Sequence, residues 1–286
     1  MENRRARLEC CVDSLESGEN AVLQGGARRL EICTALSEGG LTPSLGLFLA
    51  IKRAVQIEGR DEVFLAVLIR PRAGDFVYSP AELAVMAADI DIFKNNGAHG
   101  VVLGALDRHG LLDLQAMNTL LNEVGPDLEV TFHRAIDVSR DPLEAVKTCC
   151  GIKRISRVLT SGGALTAMEG AEVIHEMVKV VESSDRRNDF IIAVGSGVSE
   201  SNGTGLLLRT GAHQLHGSLR QVRVDRINFA SPVMDQMGGS FKAIKGGESS
   251  SDQRAVIERS ISVTSGNKVR ALLLSLADVN NEGLAT

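Results

Sequence analysis

Residues 63–103 read VFLAVLIRPRAGDFVYSPAELAVMAADIDIFKNNGAHGVVL. The stretch opens on an almost wholly apolar run, Val63–Arg70, with the composition of a strand buried on both faces. Ser79-Pro80-Ala81-Glu82 then offers an N-cap, a proline at the first helical position and a capping-box glutamate. A helix is therefore expected from there to a stop near Gly97, where Gly100–Leu103 resumes as a strand. Strand, helix, strand in this order is a βαβ unit, the building block of a parallel sheet.

The same order extends in both directions. Strands are expected at Leu8–Val12, Arg29–Cys33, Val63–Arg70, Gly100–Leu103, Glu129–Arg134, Arg157–Thr160, Phe190–Val194 and Gln214–Gly217. Asp141-Pro142-Leu143-Glu144 repeats the helix-opening device and Gly151 closes that helix, while Gly125 and Gly211 close two others. About eight such repeats predict an α/β chain folded as a single (β/α)8 TIM barrel with parallel strands, residues 1–286 forming one domain. A doubly wound open sheet is the competitor, but it carries a glycine-rich turn after its first strand. Here Asp13-Ser14-Leu15-Glu16 stands in that place. Beyond strand eight the periodicity stops: residues 237–252 (MGGSFKAIKGGESSSD) form a Gly/Ser-rich segment expected to be a mobile loop or crossover. Lys268–Val279 resumes as a final helix.

Composition narrows the function. Of 286 residues, 44% are hydrophobic and only 3% aromatic, with no Trp, so the core is expected to be built of aliphatic layers. The formal charge is -5, with 31 basic residues interspersed among 36 acidic ones, which leaves no basic stripe for nucleic acid. No apolar run reaches the length of a membrane span, and Met1–Leu8 lacks the apolar stretch of a signal peptide. Five cysteines are too few, and odd in number, for a disulfide framework. A cytoplasmic location is the expectation that follows.

Barrel proteins build their sites at the C-terminal ends of the strands. By the two-residue period of a strand, Glu9, Cys11 and Asp13 share one face of the first strand, and Glu31 and Cys33 one face of the second. Two adjacent strands thus repeat Glu-x-Cys. If both faces point inward, Cys11 and Cys33 can reach one ion, and paired thiolates suit a soft metal, Cu(I) first and zinc second. Buried cysteines also serve as plain small hydrophobes. Glutamates inside a barrel need partners. Arg70 and Arg72, after strand three, are candidates either to neutralise Glu31 and Asp75 or to clamp a carboxylate or phosphate ligand. His133, after strand five, is a candidate general base, metal ligand or hydrogen-bonded pocket residue, with Asp137 close behind it. Ser161, His216 and Ser218, with glycines after strands six to eight, suggest an anion site. No lysine ends a strand, which speaks against a Schiff-base aldolase.

In order along the chain, LECCVDS, ARRLEIC, LSEGGLTPSLG, LIRPRAGDFVYS, VTFHRAID, RVLTSGG and QLHGSL resemble the copper homeostasis protein CutC family. The resemblance implies a β/α barrel, copper tolerance and Cu(I) as cofactor or cargo, with Cys11 and Cys33 matching the family cysteines associated with copper. Cys10 alternates away from Cys11, and Cys149–Cys150 lies outside the matched motifs, so these are expected to pack. The departures are an extended run at residues 57–62 and VGSGV at the end of strand seven, where the family carries a run of glycines.

Two functions compete. One is a copper homeostasis protein that binds Cu(I) through cysteine thiolates at the barrel mouth. The other is an enzyme with acid–base chemistry on a small anionic metabolite, using Glu9, Glu31, His133 and Asp137 with Arg70, Arg72, Ser161 and His216, copper binding being incidental. Assembly into a homo-oligomer is a third expectation, since barrels often associate.

Overall fold

The computed structural model of the chain describes residues 8–224 and 260–282. Eight parallel strands close in sequence order into a barrel: β1 (Leu8–Val12), β2 (Arg29–Ile32), β3 (Phe64–Leu68), β4 (Gly100–Leu103), β5 (Glu129–Phe132), β6 (Arg157–Thr160), β7 (Ile191–Val194) and β8 (Gln214–Gly217). The helices between them are α1 (Leu15–Glu19), α2 (Leu45–Ile57), α3 (Pro80–Asn95), α4 (Leu114–Val124), α5 (Pro142–Gly151), α6 (Ala171–Glu182) and α7 (Gly203–Thr210). The expected TIM barrel is the fold observed.

Local signals place these elements. Ser79 caps α3 by accepting from the Glu82 amide, and Glu82 reaches back to the Ser79 amide at 2.7 Å. In α5 the Asp141 cap and Pro142 recur, but the Glu144 side chain turns to Lys147 instead of closing a capping box. Three strand ends draw in by one or two residues where the chain curls into the site-bearing loops, so Cys33, Arg70 and His133 follow their strands.

One element was not expected. After β8 the chain forms β9 (Arg220–Val224), which pairs antiparallel with β10 (Ser260–Thr264) before the last helix α8 (Gly266–Glu282). The Gly/Ser-rich segment 237–252 lies outside the described residues.

The aliphatic core lies between strands and helices: Leu8, Cys10, Val12, Leu30 and Ile32 point outward from the barrel into it. The barrel interior differs from the expected aliphatic layers. Arg157 of β6 reaches across to Glu9 of β1 at 2.8 Å, both with no exposed surface. Arg29 of β2 binds the other Glu9 oxygen at 2.5 Å and spans to Glu129 of β5. Gln214 accepts from Arg157 Nε at 3.0 Å. Burial alone would drive the Glu9 carboxyl up, but Arg157 and Arg29, with His216, hold it well below the usual carboxylate range. A charge cluster therefore fills the space that branched side chains usually fill, and Cys33, Ala66, Leu68 and Val102 form a small apolar patch beside it. Arg70 and Arg72, the partners expected for the internal glutamates, do not meet Glu9; Arg29 and Arg157 hold that role.

Removing one member of such a cluster leaves buried charge without compensation, at a cost of roughly 3–5 kcal/mol. Glu9→Gln is expected to lower Tm by about 10 °C in a thermal melt. Glu62→Gln, which breaks a half-exposed pair with Arg60, is expected to leave Tm within about 1 °C.

Candidate functional site

The C-terminal mouth of the barrel opens into a cavity of about 380 Å³, lined from the loops after β2, β3, β5, β7 and β8. Strand register decides what meets at its floor. Cys11 of β1 stands opposite Glu31 of β2, and Glu9 stands opposite His216 of β8. Cys11 Sγ, a Glu31 oxygen and a His216 ring nitrogen consequently lie within 4.8 Å of one another, all three residues buried.

His216 links the charge cluster to the cavity. Its Nδ1 lies 2.8 Å from Glu9 Oε1, and its Nε2 faces Glu31 Oε2 at 3.5 Å. Burial disfavours a charged ring, yet Cys11, Glu31 and Glu9 around it raise its pKa well above that of a free histidine. Glu31 is pushed up, by burial first and by the Glu9 charge second, with His216 pulling the other way. Glu9 thus orients the imidazole from beneath, the arrangement in which a carboxylate fixes a metal-binding histidine. Gly195 clears the space: a Cβ there would stand 2.8 Å from Leu159 and 3.4 Å from the His216 ring.

Cys33 sits apart from this group. It packs with Ala66, Leu68 and Val102, and its Sγ points to the Val12 carbonyl at 3.5 Å. Burial, then Glu31 and Cys11, push its thiol well up. Cys10 faces the outer core and Cys149 and Cys150 are buried on α5, consistent with packing.

His133 lines the cavity from the end of β5. Its Nδ1 accepts the Ala135 amide at 3.2 Å, which leaves the proton on Nε2, an atom without a hydrogen-bond partner. Burial first, then Arg70, lower its pKa to about 3, so the ring is neutral. Arg70 also lines the cavity and uses its Nη atoms on the carbonyls of Glu38, Gly40 and Gly74 at 2.8–3.0 Å.

The remaining predicted residues go elsewhere. Arg72 pairs with Asp75 at 3.0 Å and with Glu82, away from the cavity lining. Asp137 accepts from Thr160 Oγ1, from Ser161 and Gly163 amides and from Arg134, so its oxygens are committed to shaping the turn after β6. Ser161 takes part in that turn, its amide donating to Asp137 and its hydroxyl to the Ala164 carbonyl at 2.6 Å. Asp137, Ser161 and Arg72 thus lie outside the cavity lining with these contacts made, and Glu9 lies beneath the cavity.

Arg29, Arg157 and Phe76 are not singled out by the sequence, whereas Ser196 belongs to the hydroxyls expected after strands six to eight. The available signal for the arginines was a charged residue opening two otherwise buried strands, RLEI and RVLT. Ser196 lines the cavity in the left-handed region at φ 79, a strained setting for a serine.

The comparisons with known proteins agree with this architecture. The CutC family profile matches residues 6–221. A family protein CutC from Xanthomonas axonopodis pv. citri is 41% identical over 235 residues, covering 82% of this chain and 92% of that protein. The copper homeostasis protein cutC homolog of Homo sapiens is 38% identical over 265 residues, covering 93% and 87%. The crystal structure of the putative copper homeostasis protein CutC from Streptococcus agalactiae superposes with a TM-score of 0.65 at 30% identity, covering 74% of this chain and 97% of that one. The chain belongs to the CutC family.

A neutral buried histidine sets a pH dependence. The unfolded chain takes up a proton near pH 6.5 that native His133 refuses until about pH 3, so stability falls as pH drops through that window. His133→Asn keeps an acceptor for the Ala135 amide and is expected to flatten the loss measured by urea denaturation between pH 6.5 and 4.5, by up to roughly 1.4 kcal/mol per pH unit.

Proposed function

We propose that this member of the CutC family binds Cu(I) at the floor of the barrel mouth, with Cys11 Sγ and His216 Nε2 as principal ligands and a Glu31 oxygen at the open side. The observation that carries the reading is the convergence of three ligating atoms within 4.8 Å beneath an open cavity. A thiolate and an imidazole are donors that a soft copper ion accepts, and a carboxylate alone would favour a harder one. Glu9 supports the assignment because its hydrogen bond to Nδ1 leaves Nε2 free for an ion once its proton is lost. The homeostasis names carried by relatives agree with copper as cargo.

In this reading Cys33 is a neighbour of the ion and not its first thiolate. Its raised thiol and its packing against Ala66 and Leu68 oppose the loss of a proton that ligation requires. Competition against a chromophoric Cu(I) chelator under anaerobic conditions separates the roles. Cys11→Ser and His216→Ala are each expected to weaken Cu(I) binding at least tenfold, and Cys33→Ser by less. Undiminished affinity in both Cys11→Ser and His216→Ala would remove the ion from this floor; a loss confined to Cys33→Ser would move it to the second strand.

A further inference from the structure

Arg70 is a cation that the fold buries without a counter-charge. It is 6% exposed, and among the described residues no carboxylate lies within ion-pair distance of it. Three backbone carbonyls hold its Nη atoms, and its Nε–H has no partner. The other cations around the cavity are answered: Arg134 by Asp137, Arg220 by Asp13 at 2.8 Å, and Lys268 by Glu200 at 3.5 Å. A buried guanidinium that meets carbonyls and an aromatic face but no carboxylate keeps its charge without an ionic partner, a costly arrangement without a use.

His133 supplies a second unanswered donor on the same wall. It is 4% exposed and its Nε2–H has no partner. The Phe76 ring links the two, with its centroid 4.9 Å from the Arg70 guanidinium and 4.9 Å from the His133 ring. Both side chains line the cavity that stands over Cys11, Glu31 and His216.

The rest of the lining narrows the ligand. Leu36, Leu68, Phe76, Leu159, Val198 and Leu219 give the cavity apolar walls. A volume near 380 Å³ is that of a small-molecule pocket and exceeds what an ion requires. One cation without a counter-charge and one neutral donor on this wall match a single carboxylate, since the other cations lining the cavity already face carboxylates.

We infer that the mouth is a binding site for a small organic monocarboxylate, whose carboxylate is received by Arg70 and His133 on the Phe76 wall and whose apolar body lies over the Cys11–Glu31–His216 floor. The inference does not rest on metal binding: it uses the wall of the cavity, and the copper proposal uses the floor.

The test uses the full chain stripped of metal, with hexanoate and benzoate as probes, benzamide as the neutral control and inorganic phosphate as the dianion control. Thermal shift and isothermal titration are expected to show hexanoate or benzoate raising Tm and binding with a measurable Kd, at least tenfold tighter than benzamide or phosphate. His133→Asn and Arg70→Gln are each expected to weaken carboxylate binding tenfold or more. Glu62→Gln, in a half-exposed pair outside the cavity lining, is expected to leave it within about threefold. Because Arg70 also ties the loop after β2 to its own, His133→Asn and the selectivity of the unmodified protein decide the matter if Arg70→Gln does not fold. Failure of both carboxylates to bind, benzamide or phosphate binding as well as they do, or a His133→Asn variant with unchanged affinity would each overturn the inference.

Discussion

The carboxylate of Glu9, enclosed at the centre of a parallel barrel, has to be met by positive charge, and the three groups that meet it organise the protein's functional end. Arg157 and Arg29 take its two oxygens from β6 and β2, and His216 completes the set from β8. These contacts tie strands on opposite sides of the barrel, so the interior is held by directional charge-assisted bonds in place of interdigitated aliphatic layers. Such clusters add little net stability over a well-packed apolar core, because desolvation of the ions offsets much of their attraction. What they add is orientation. A histidine held from below by a carboxylate presents its other nitrogen upward, and that nitrogen faces Cys11 and Glu31.

The cavity above divides into two parts of different chemistry. Its floor gathers a thiol, a carboxyl and an imidazole around one point. Its wall carries a guanidinium and a neutral imidazole against an aromatic ring. The wall is built by the loop after β3, whose Arg70 pins the loop after β2 through Glu38 and Gly40 and its own turn through Gly74. One side chain thereby serves as a brace for the mouth and as its unanswered charge. Strain at Ser196, on the opposite rim after β7, is of the kind that folds retain where a loop must hold a defined shape beside a ligand.

Much of the fold was legible along the chain because strands and helices leave local marks. Residues 63–103 carried an apolar run, a capping box with proline and a second apolar run, and each became the expected element. Proline and cap residues act within a few positions of themselves, so they need no tertiary information. The β9–β10 ladder left no such mark: antiparallel partners separated by residues 225–259 are paired by contacts that periodicity does not encode. Half of the candidate site was legible in the same way. Alternation put Glu9 and Cys11 on one face and Glu31 on the matching face of its neighbour, and His216 was recognisable at the end of the eighth strand.

The amino-acid order by itself determined the repeated βα units, the inward faces of β1 and β2, and membership of a copper-associated family, because each of these is written in spacings of a few residues. Only the tertiary structure decided which charges meet. Arg157 lies 148 positions from Glu9 and His216 lies 207 positions away, and closure of the barrel is what makes them neighbours. The same closure separated residues that sequence had grouped, sending Arg72 to Glu82 and Asp137 to the turn after β6, and set Cys33 behind Cys11 against the Val12 carbonyl. Strand register, a property of the closed sheet and not of either strand, chose Glu31 and His216 as the companions of Cys11.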